Sequence, residues 1–190
     1  MYAKVEDNTV VKVNSSLASF NKSAPSWSAD QLAANGIYEV VYNNTNLKDN
    51  RFYINGAESF TFANDTVTAS YTAAVGKALD DVNATDENGV ELDPVVVISG
   101  LKSNEKNQIK AEASGQLQST DWYVVRHAES ATAIPANVST YRIAVRTKSN
   151  EMETAIDGAA TVEALEALFT YTTGADDVSS RPLGEWPTLA

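Results

Sequence analysis

The chain has 190 residues, of which 43% are hydrophobic and 21% charged, so it is long enough for one domain with a full core or for two small domains. Its formal net charge of -11 opposes binding to phosphate backbones, and we expect no nucleic-acid partner. Cysteine is absent, which excludes disulfides, thiolate metal sites and a cysteine nucleophile.

The N-terminus and the hydropathy pattern bear on targeting. Residues 1–7 contain no apolar signal core, and no window approaches the ~18 apolar residues that a membrane span requires. We therefore expect a soluble chain that has no signal peptide and no membrane partner.

Short strands are predicted at the start of the chain. Residues 2–5 and 10–13 are β-branched runs on either side of Glu6-Asp7-Asn8-Thr9, which predicts a β-hairpin. Ser28 can cap a short helix, and Asn35-Gly36 can end it in the left-handed conformation. The segment that follows, residues 37–42, has the composition of a strand.

More strands are predicted up to about residue 100. Residues 51–54 and 59–62 flank Asn55-Gly56, which is a strong hairpin signal, with a longer loop as the alternative. Residues 66–71 follow a turn at Ala63-Asn64-Asp65, so the region is predicted to be an antiparallel meander.

The strand region ends in an acidic segment. Residues 80–93 contain several carboxylates and turn formers, which is typical of a solvated loop. A calcium site is the alternative interpretation, although the ligand order of an EF-hand is missing. Residues 94–98 are apolar and short, and we predict a strand there.

From Leu101 onward, the hydrophobic residues have the spacing of a helix and no longer alternate as in a strand. Ile109, Ala113 and Leu117 are four residues apart and share one face of a helix. Pro135 can begin a second helix and Thr161 can cap a third. The apolar positions are Val138, Tyr141, Val145, Met152 and Ile156 in the second helix, which Gly158 ends, and Leu165, Leu168 and Phe169 in the third.

These elements predict an α+β fold. An antiparallel β-rich half covers residues 1–100, a helical hairpin module covers residues 101–171, and an extended tail covers residues 172–190. The tail has no hydrophobic period and contains Gly174, Pro182, Gly184 and Pro187.

One short motif suggests catalysis. Arg126-His127 resembles the Arg-His signature of the histidine phosphatases, in which the imidazole attacks phosphorus and the guanidinium holds the phosphoryl oxygens. That family needs a second histidine, and this chain has one; no βαβ pattern follows the motif. We interpret His127 as an incidental surface residue. Other catalytic motifs are missing from the sequence, so we expect no enzyme, no cofactor, no metal site and no small-molecule substrate.

A second pattern lies in the helical half: Thr120-Asp121-Trp122, then Pro135, then Tyr141-Arg142 and Arg146. It resembles the tail-fibre assembly chaperone group of tailed phages and related short virion proteins of marine phages. Residues 1–5, residues 25–41 and Trp186-Pro187 are similar to such proteins too, so the resemblance covers about half of the chain. It implies a protein of the phage tail region that is made in the host cytoplasm, has other tail proteins as partners and forms a homo-oligomer.

Seven residues make up the candidate partner-binding set: Trp122, Tyr123, Arg126, Tyr141, Arg142, Arg146 and Trp186. Large rings with a polar edge suit either a core or an interface. In the core interpretation, Asp121 caps a helix and Tyr141 meets Trp122 across a helical hairpin. The three arginines pair either with Glu129, Glu151 or Glu153 or with an acidic partner protein.

Three hypotheses for function follow. The first is a structural component of a tailed-phage virion, in the tail, tail fibre or baseplate, that acts through protein–protein contacts. The second is a tail-fibre assembly chaperone that is not retained in the virion. The third is a glycan-binding module that uses the aromatic residues of the β-rich half: Phe52, Tyr53, Phe60, Phe62 and Tyr71.

Overall fold

The computed structural model describes residues 1–189 and has two compact units, Met1–Val75 and a second that begins at Gly76. Strands dominate the first unit and helices the second, which confirms the α+β class. The second unit begins before residue 100 because residues 78–81 hold the start of its first long helix. There the Leu101 and Lys102 N–H groups donate to Ala78 and Leu79 at 2.9 and 3.0 Å.

The first unit contains six strands, one α-helix and two single 3-10 turns. The strands are β1 (Tyr2–Glu6), β2 (Thr9–Asn14), β3 (Ile37–Asn43), β4 (Tyr53–Ile54), β5 (Glu58–Ala63) and β6 (Thr66–Tyr71). The helix is α1 (Ala29–Ala34), and the 3-10 turns are Leu17–Ser19 and Ala24–Ser26. Five of the strands form one sheet in the order β2-β1-β3-β6-β5.

The sheet is mixed, whereas the sequence predicted an antiparallel meander. Strands β1–β2, β1–β3 and β5–β6 pair antiparallel, but β3 and β6 run parallel, with Val40 opposite Val67. The reason is the position of β5 at the sheet edge. The chain first runs out to that edge and then turns back, so β6 enters beside β3 in the same direction.

Two of the predicted turns are confirmed and one is wrong. Asp7-Asn8 and Asn64-Asp65 all have positive φ, between 47° and 61°, as tight two-residue hairpin turns require. Asn55-Gly56 does not join two paired strands, because the Asn55 side chain closes a loop instead. Its Oδ1 accepts from the Lys48 N–H and its Nδ2 donates to the Lys48 carbonyl, both at 2.8 Å.

The core of the first unit lies on one face of this sheet. Its buried residues are Ala3, Val5, Val40, Val67 and Ala69. The Tyr38 and Phe62 rings pack at its border with their centroids 4.7 Å apart. Alternate residues of each strand therefore form the core, as the period of a pleated strand requires.

The second unit contains four helices and five two-residue strands. The helices are α2 (Leu101–Gln118), α3 (Asp121–Ser130), α4 (Ala136–Asp157) and α5 (Val162–Phe169). The strands are β7 (Val75–Gly76), at the boundary, β8 (Val82–Asn83), β9 (Val97–Ile98), β10 (Thr172–Thr173) and β11 (Ser179–Ser180). Within residues 1–189, no helix has the length and apolarity to cross a membrane.

The helical hairpin is confirmed as the antiparallel pair α2–α4. Lys106 Nζ lies 2.7 Å from Asp157 at one end of the pair, and Gln116 contacts Tyr141 at the other. All five apolar positions predicted for α4 are buried, and so are Ile109 and Ala113 on α2. The predicted spacing therefore identified the core face of both helices.

Three predicted helix ends are confirmed. Ser28 and Gln31 form a capping box at the start of α1, and Gly158 ends α4. Thr161 caps α5, where its Oγ1 accepts from the Ala164 N–H at 3.1 Å.

We expect Thr161→Ala to lower the free energy of unfolding of the second unit by about 1 kcal/mol, because one N–H of α5 loses its acceptor. Urea unfolding followed by helical circular dichroism measures this loss. Thr147→Ala is the matched control, since Thr147 is exposed in the middle of α4 and caps nothing. An equal loss in both variants would contradict the capping contribution.

The predicted extended tail is instead folded back on the helices. Strands β10 and β11 form a small hairpin, with Thr172 opposite Ser180. Leu183 is buried, and its N–H donates to the Leu168 carbonyl at 3.0 Å. Leu183 therefore holds part of the tail against α5.

Candidate functional site

The predicted set of partner-binding residues divides into a buried part and an exposed part. Arg142 belongs to the buried part, at the junction of α2 and α3. Its Nη1 donates to the Leu117 carbonyl at 3.1 Å and to Thr120 Oγ1 at 2.6 Å. Its Nη2 lies 2.9 Å from Asp121 Oδ1. One guanidinium thus holds the end of α2, the connecting residue and the start of α3 against α4.

Tyr141 is the neighbour of Arg142 and is also buried. Its hydroxyl donates to the carbonyl and to Oε1 of Gln116 at 3.1 and 3.0 Å. Its ring packs with Ala113 and Val145. The predicted contact between Tyr141 and Trp122 is absent from these packing contacts.

The helix cap predicted for Asp121 is also absent. Thr120 is the N-cap residue of α3, and its Oγ1 donates to Leu117 instead of accepting from α3. Asp121 lies in the first turn and pairs with Arg142. The Thr-Asp and Tyr-Arg pieces of the pattern therefore form one structural corner, and Tyr141 and Arg142 are not available to a partner.

Trp122, Tyr123 and Arg126 form the more accessible part, on the first turns of α3: Trp122 is exposed, and Tyr123 and Arg126 are half-buried. The Trp122 and Tyr123 ring centroids are 3.9 Å apart. The Arg126 guanidinium carbon lies 4.6 Å from the Trp122 centroid and 5.3 Å from the Tyr123 centroid. Val125 is exposed beside them, because it is three residues from Trp122 on the helix. We call these four residues the Trp122 platform.

The platform has little support from the rest of the chain. No residue of α3 is buried, and Trp122 retains 51% of its accessible surface. A ten-residue helix without a fully buried residue gains little packing free energy from its own fold. A helix with a large aromatic on such a face is therefore a candidate for contact with another molecule.

The charges around the platform leave two arginines without a carboxylate. Arg126 and Arg146 form no ion pair within residues 1–189, and Arg126 Nε is buried without a hydrogen-bond partner. The predicted pairings with Glu151 and Glu153 are wrong, because Lys148 and Lys110 pair with these residues at 3.7 and 3.4 Å. The alternative that remains for Arg126 is an acidic group of a partner.

Trp186 lies far along the chain but packs against the same core as Tyr141. Its ring contacts the cluster of Ala113, Tyr141 and Val145, and its Nε1 donates to Glu112 Oε2 at 3.0 Å. Trp186 therefore anchors the folded-back tail. The roles of Glu112 and Gln116 could not be predicted from the sequence, because nothing distinguishes these two residues from the many other polar residues of α2.

The lone histidine lies at the C-terminal end of α3. His127 Nδ1 is 3.0 Å from the Thr132 carbonyl, and the side chain is exposed. Within residues 1–189, no group of three His, Asp or Glu side chains has the geometry of a metal site. The acidic loop holds its own turn, because Asp86 Oδ1 accepts from the Asn88 and Val90 N–H groups at 2.9 Å.

The aromatic residues proposed for glycan binding do not form an exposed platform. Phe52 and Tyr53 are buried, and Phe60 and Phe62 pack partly against the core of the first unit. The Tyr71 hydroxyl donates to Glu58 at 3.0 Å. These rings are used for packing, which weakens the third hypothesis.

The turn around Asp86 gives a pH-dependent prediction. Hydrogen bonds from the Val90 and Asn88 N–H groups hold the pKa of Asp86 below its ordinary value of 3.8. The turn is therefore fully stabilised above that value, and the stabilisation is lost as the pH falls through the lowered pKa of the folded chain. We expect the protection factor of the Val90 amide, its exchange rate relative to the intrinsic rate at the same pH, to fall in acid, measured by NMR. In Asp86→Asn this change is expected to disappear, and its persistence would assign it to another group.

Comparison with known proteins gives no match: the chain matches no protein-family model, no curated protein and no solved structure. The function is therefore inferred from the chemistry of the exposed surfaces. Trp122, Tyr123 and Arg126, three of the four residues of the Trp122 platform, are the predicted residues that the fold leaves accessible as a cluster.

Proposed function

We propose that this chain is a structural or assembly component of a tailed-phage virion, in the tail, tail fibre or baseplate, and that it acts through protein–protein contacts. The observation that supports this proposal best is the Trp122 platform on a helix without buried residues. Its partners are other tail proteins and further copies of the chain.

The residue types of the platform favour a protein partner. Trp, Tyr and Arg are the side chains that most often dominate the binding energy of protein interfaces. Here Arg126 stacks on both rings, which restricts all three side chains before any partner binds. Less side-chain entropy is then lost on binding.

The phage setting comes from the pattern of Thr120-Asp121-Trp122 with Tyr141-Arg142. Four of these five residues form the corner that fixes the start of α3, and the fifth is the exposed centre of the platform. A pattern that combines a rigid corner with an exposed tryptophan suits a protein whose task is to present one helix. The net charge of -11 disfavours a nucleic acid as the partner, because the acidic chain repels phosphate groups.

Mass spectrometry of purified particles tests the proposal. In particles of the phage that encodes the chain, we expect the protein at a fixed copy number. Trp122→Glu places a charge at the centre of the platform, so the variant is expected to stay soluble and to fall at least about tenfold in the particle, the effect of about 1.4 kcal/mol in binding. Val41→Glu is the control, because Val41 is a similarly exposed residue of the first unit.

The outcomes separate the first two hypotheses. Absence of the wild-type chain from particles would contradict a retained structural component. If tail-fibre protein is then insoluble in cells without the chain, the function is that of an assembly chaperone. Equal incorporation of Trp122→Glu and the wild type would exclude the platform as the docking surface.

A further inference from the structure

The segment between Val82 and Ile98 is an exposed β-arm of the second unit. Val82 pairs with Ile98 and Asn83 with Val97, and the Ala84 N–H donates to the Val96 carbonyl at 2.7 Å. The Leu92 N–H donates back to Ala84 at 3.0 Å. Ala84 is half-buried, and every other residue of the arm is exposed.

The exposed side chains of the arm are unusually apolar for a solvated loop. Seven of them are large and hydrophobic, and each retains 37% or more of its surface: Val82, Val90, Leu92, Val95, Val96, Val97 and Ile98. Consecutive residues of a strand point to opposite faces, so the run of residues 95–98 leaves apolar side chains on both faces of the arm. A two-stranded hairpin of this kind is only marginally stable in water alone.

The charge of the arm defines what can cover it. Residues 82–98 contain Asp86, Glu87, Glu91 and Asp93 and no lysine or arginine. None of these four carboxylates forms an ion pair within the described chain. The complementary surface must therefore combine exposed apolar side chains with a cation that has no carboxylate partner.

The Trp122 platform has this chemistry. Trp122 and Val125 supply exposed apolar area, and Arg126 supplies a guanidinium without a carboxylate. The arm and the platform belong to the same unit and are exposed at the same time, so within one copy neither covers the other. A second copy of the chain brings the two surfaces together without any further component.

We infer that the arm of one copy packs on the Trp122 platform of a second copy, with an arm carboxylate facing Arg126. This inference rests on the proposed function, because it assigns the platform to a protein contact. The contact joins two different surfaces, so it produces a ring or a filament unless two copies exchange arms reciprocally.

Light scattering after size-exclusion chromatography tests the contact with the full chain. We expect the wild type to have a mass above the 20.4 kDa of one copy. Val95→Asp in the arm and Val125→Asp in the platform each place a charge in the apolar contact. Each is expected to weaken association at least about tenfold, which corresponds to about 1.4 kcal/mol. Val178→Asp is the matched control, because Val178 is equally exposed in the same unit and lies outside both surfaces.

A mixture of the two defective variants gives the sharpest result. Val95→Asp keeps an intact platform and Val125→Asp keeps an intact arm, so one intact contact forms between them. We expect the mixture to contain a heterodimer of twice the mass of one copy, while each variant alone is a monomer. Circular dichroism of each variant checks that it is folded.

Three outcomes would overturn the inference: a monomeric wild type at high concentration, a monomeric mixture, or dissociation of Val178→Asp as well. Failure of the proposed function is a different result. A wild type that self-associates but is missing from particles contradicts the virion assignment, whereas a monomeric wild type that needs Trp122 for incorporation contradicts only the contact between copies.

Discussion

Arg142→Ala is expected to lower the free energy of unfolding of the second unit by about 3 kcal/mol, the upper end of the range for hydrogen bonds made by a charged group. The guanidinium is buried and contacts Leu117, Thr120 and Asp121. Its removal leaves the Leu117 carbonyl with only the Thr120 hydroxyl as a side-chain donor. Asp121 is largely exposed and can be solvated, which is why the expected loss is not larger.

Urea unfolding followed by helical circular dichroism measures this effect, since all long helices lie in the second unit. Arg146→Ala is the control: Arg146 is one turn away on α4, is exposed and pairs with no carboxylate, so its loss is expected within about 0.5 kcal/mol. Arg142→Lys should not restore stability, because one ammonium cannot reach three separate acceptors in the geometry of a guanidinium. Equal stability of Arg142→Ala and the wild type would show that the corner is held by packing alone.

Trp186→Ala is expected to destabilise the second unit by about 2 kcal/mol, less than the loss for a fully buried tryptophan because Trp186 is only partly buried. The ring covers the cluster of Ala113, Tyr141 and Val145, and its N–H satisfies Glu112. We also expect the tail to detach from the helices, so that limited proteolysis cleaves after α5.

Trp122→Ala is the matched control for Trp186→Ala. Trp122 makes its contacts within α3 and loses mainly the stacking with Arg126, which is worth about 0.5 kcal/mol at an exposed site. Trp186→Ala is therefore expected to lose stability, whereas Trp122→Ala is expected to lose association. If Trp122→Ala were the less stable of the two, α3 would be a core helix and not a docking helix.

The helices could be predicted from the sequence because their apolar spacing is regular. Val138, Tyr141, Val145, Met152 and Ile156 repeat at three, four and seven residues, and all five are buried. The N-caps Ser28 and Thr161 were predictable for a local reason, since a side chain and an N–H three residues later form the cap. Such signals do not depend on the rest of the fold.

Features that depend on distant residues could not be predicted. The parallel pairing of β3 with β6 follows from the path of the chain to the sheet edge, and no residue of either strand encodes it. The loop closed by Asn55 overrides a dipeptide that favours hairpins. Arg142 looks like a surface cation in sequence, and only the position of Thr120, twenty-two residues earlier, makes it a buried one.

The candidate site, like the fold, could be predicted only in part. The sequence placed Trp122, Tyr123 and Arg126 in the candidate set, and the structure brings these three together within a turn and a half of helix. The sequence grouped them with Tyr141, Arg142 and Trp186, which the fold uses internally. Residues 94–98 were predicted to be an apolar strand, and β9 lies there, but their exposure could not be predicted because an apolar run is usually buried.

The corner at Arg142 pairs with the first residue of α3, and no residue of this helix is fully buried. Isolated helices shorter than about 12 residues are marginal in water, so the far end of α3 is free to fray while α2 and α4 remain intact. Any molecule that binds along its length must first order that end, and part of the binding free energy is spent on it. Binding of a partner to α3 can therefore be measured on the helix itself. Its backbone amides are expected to be protected from deuterium exchange in the assembled state and to exchange readily in the free chain.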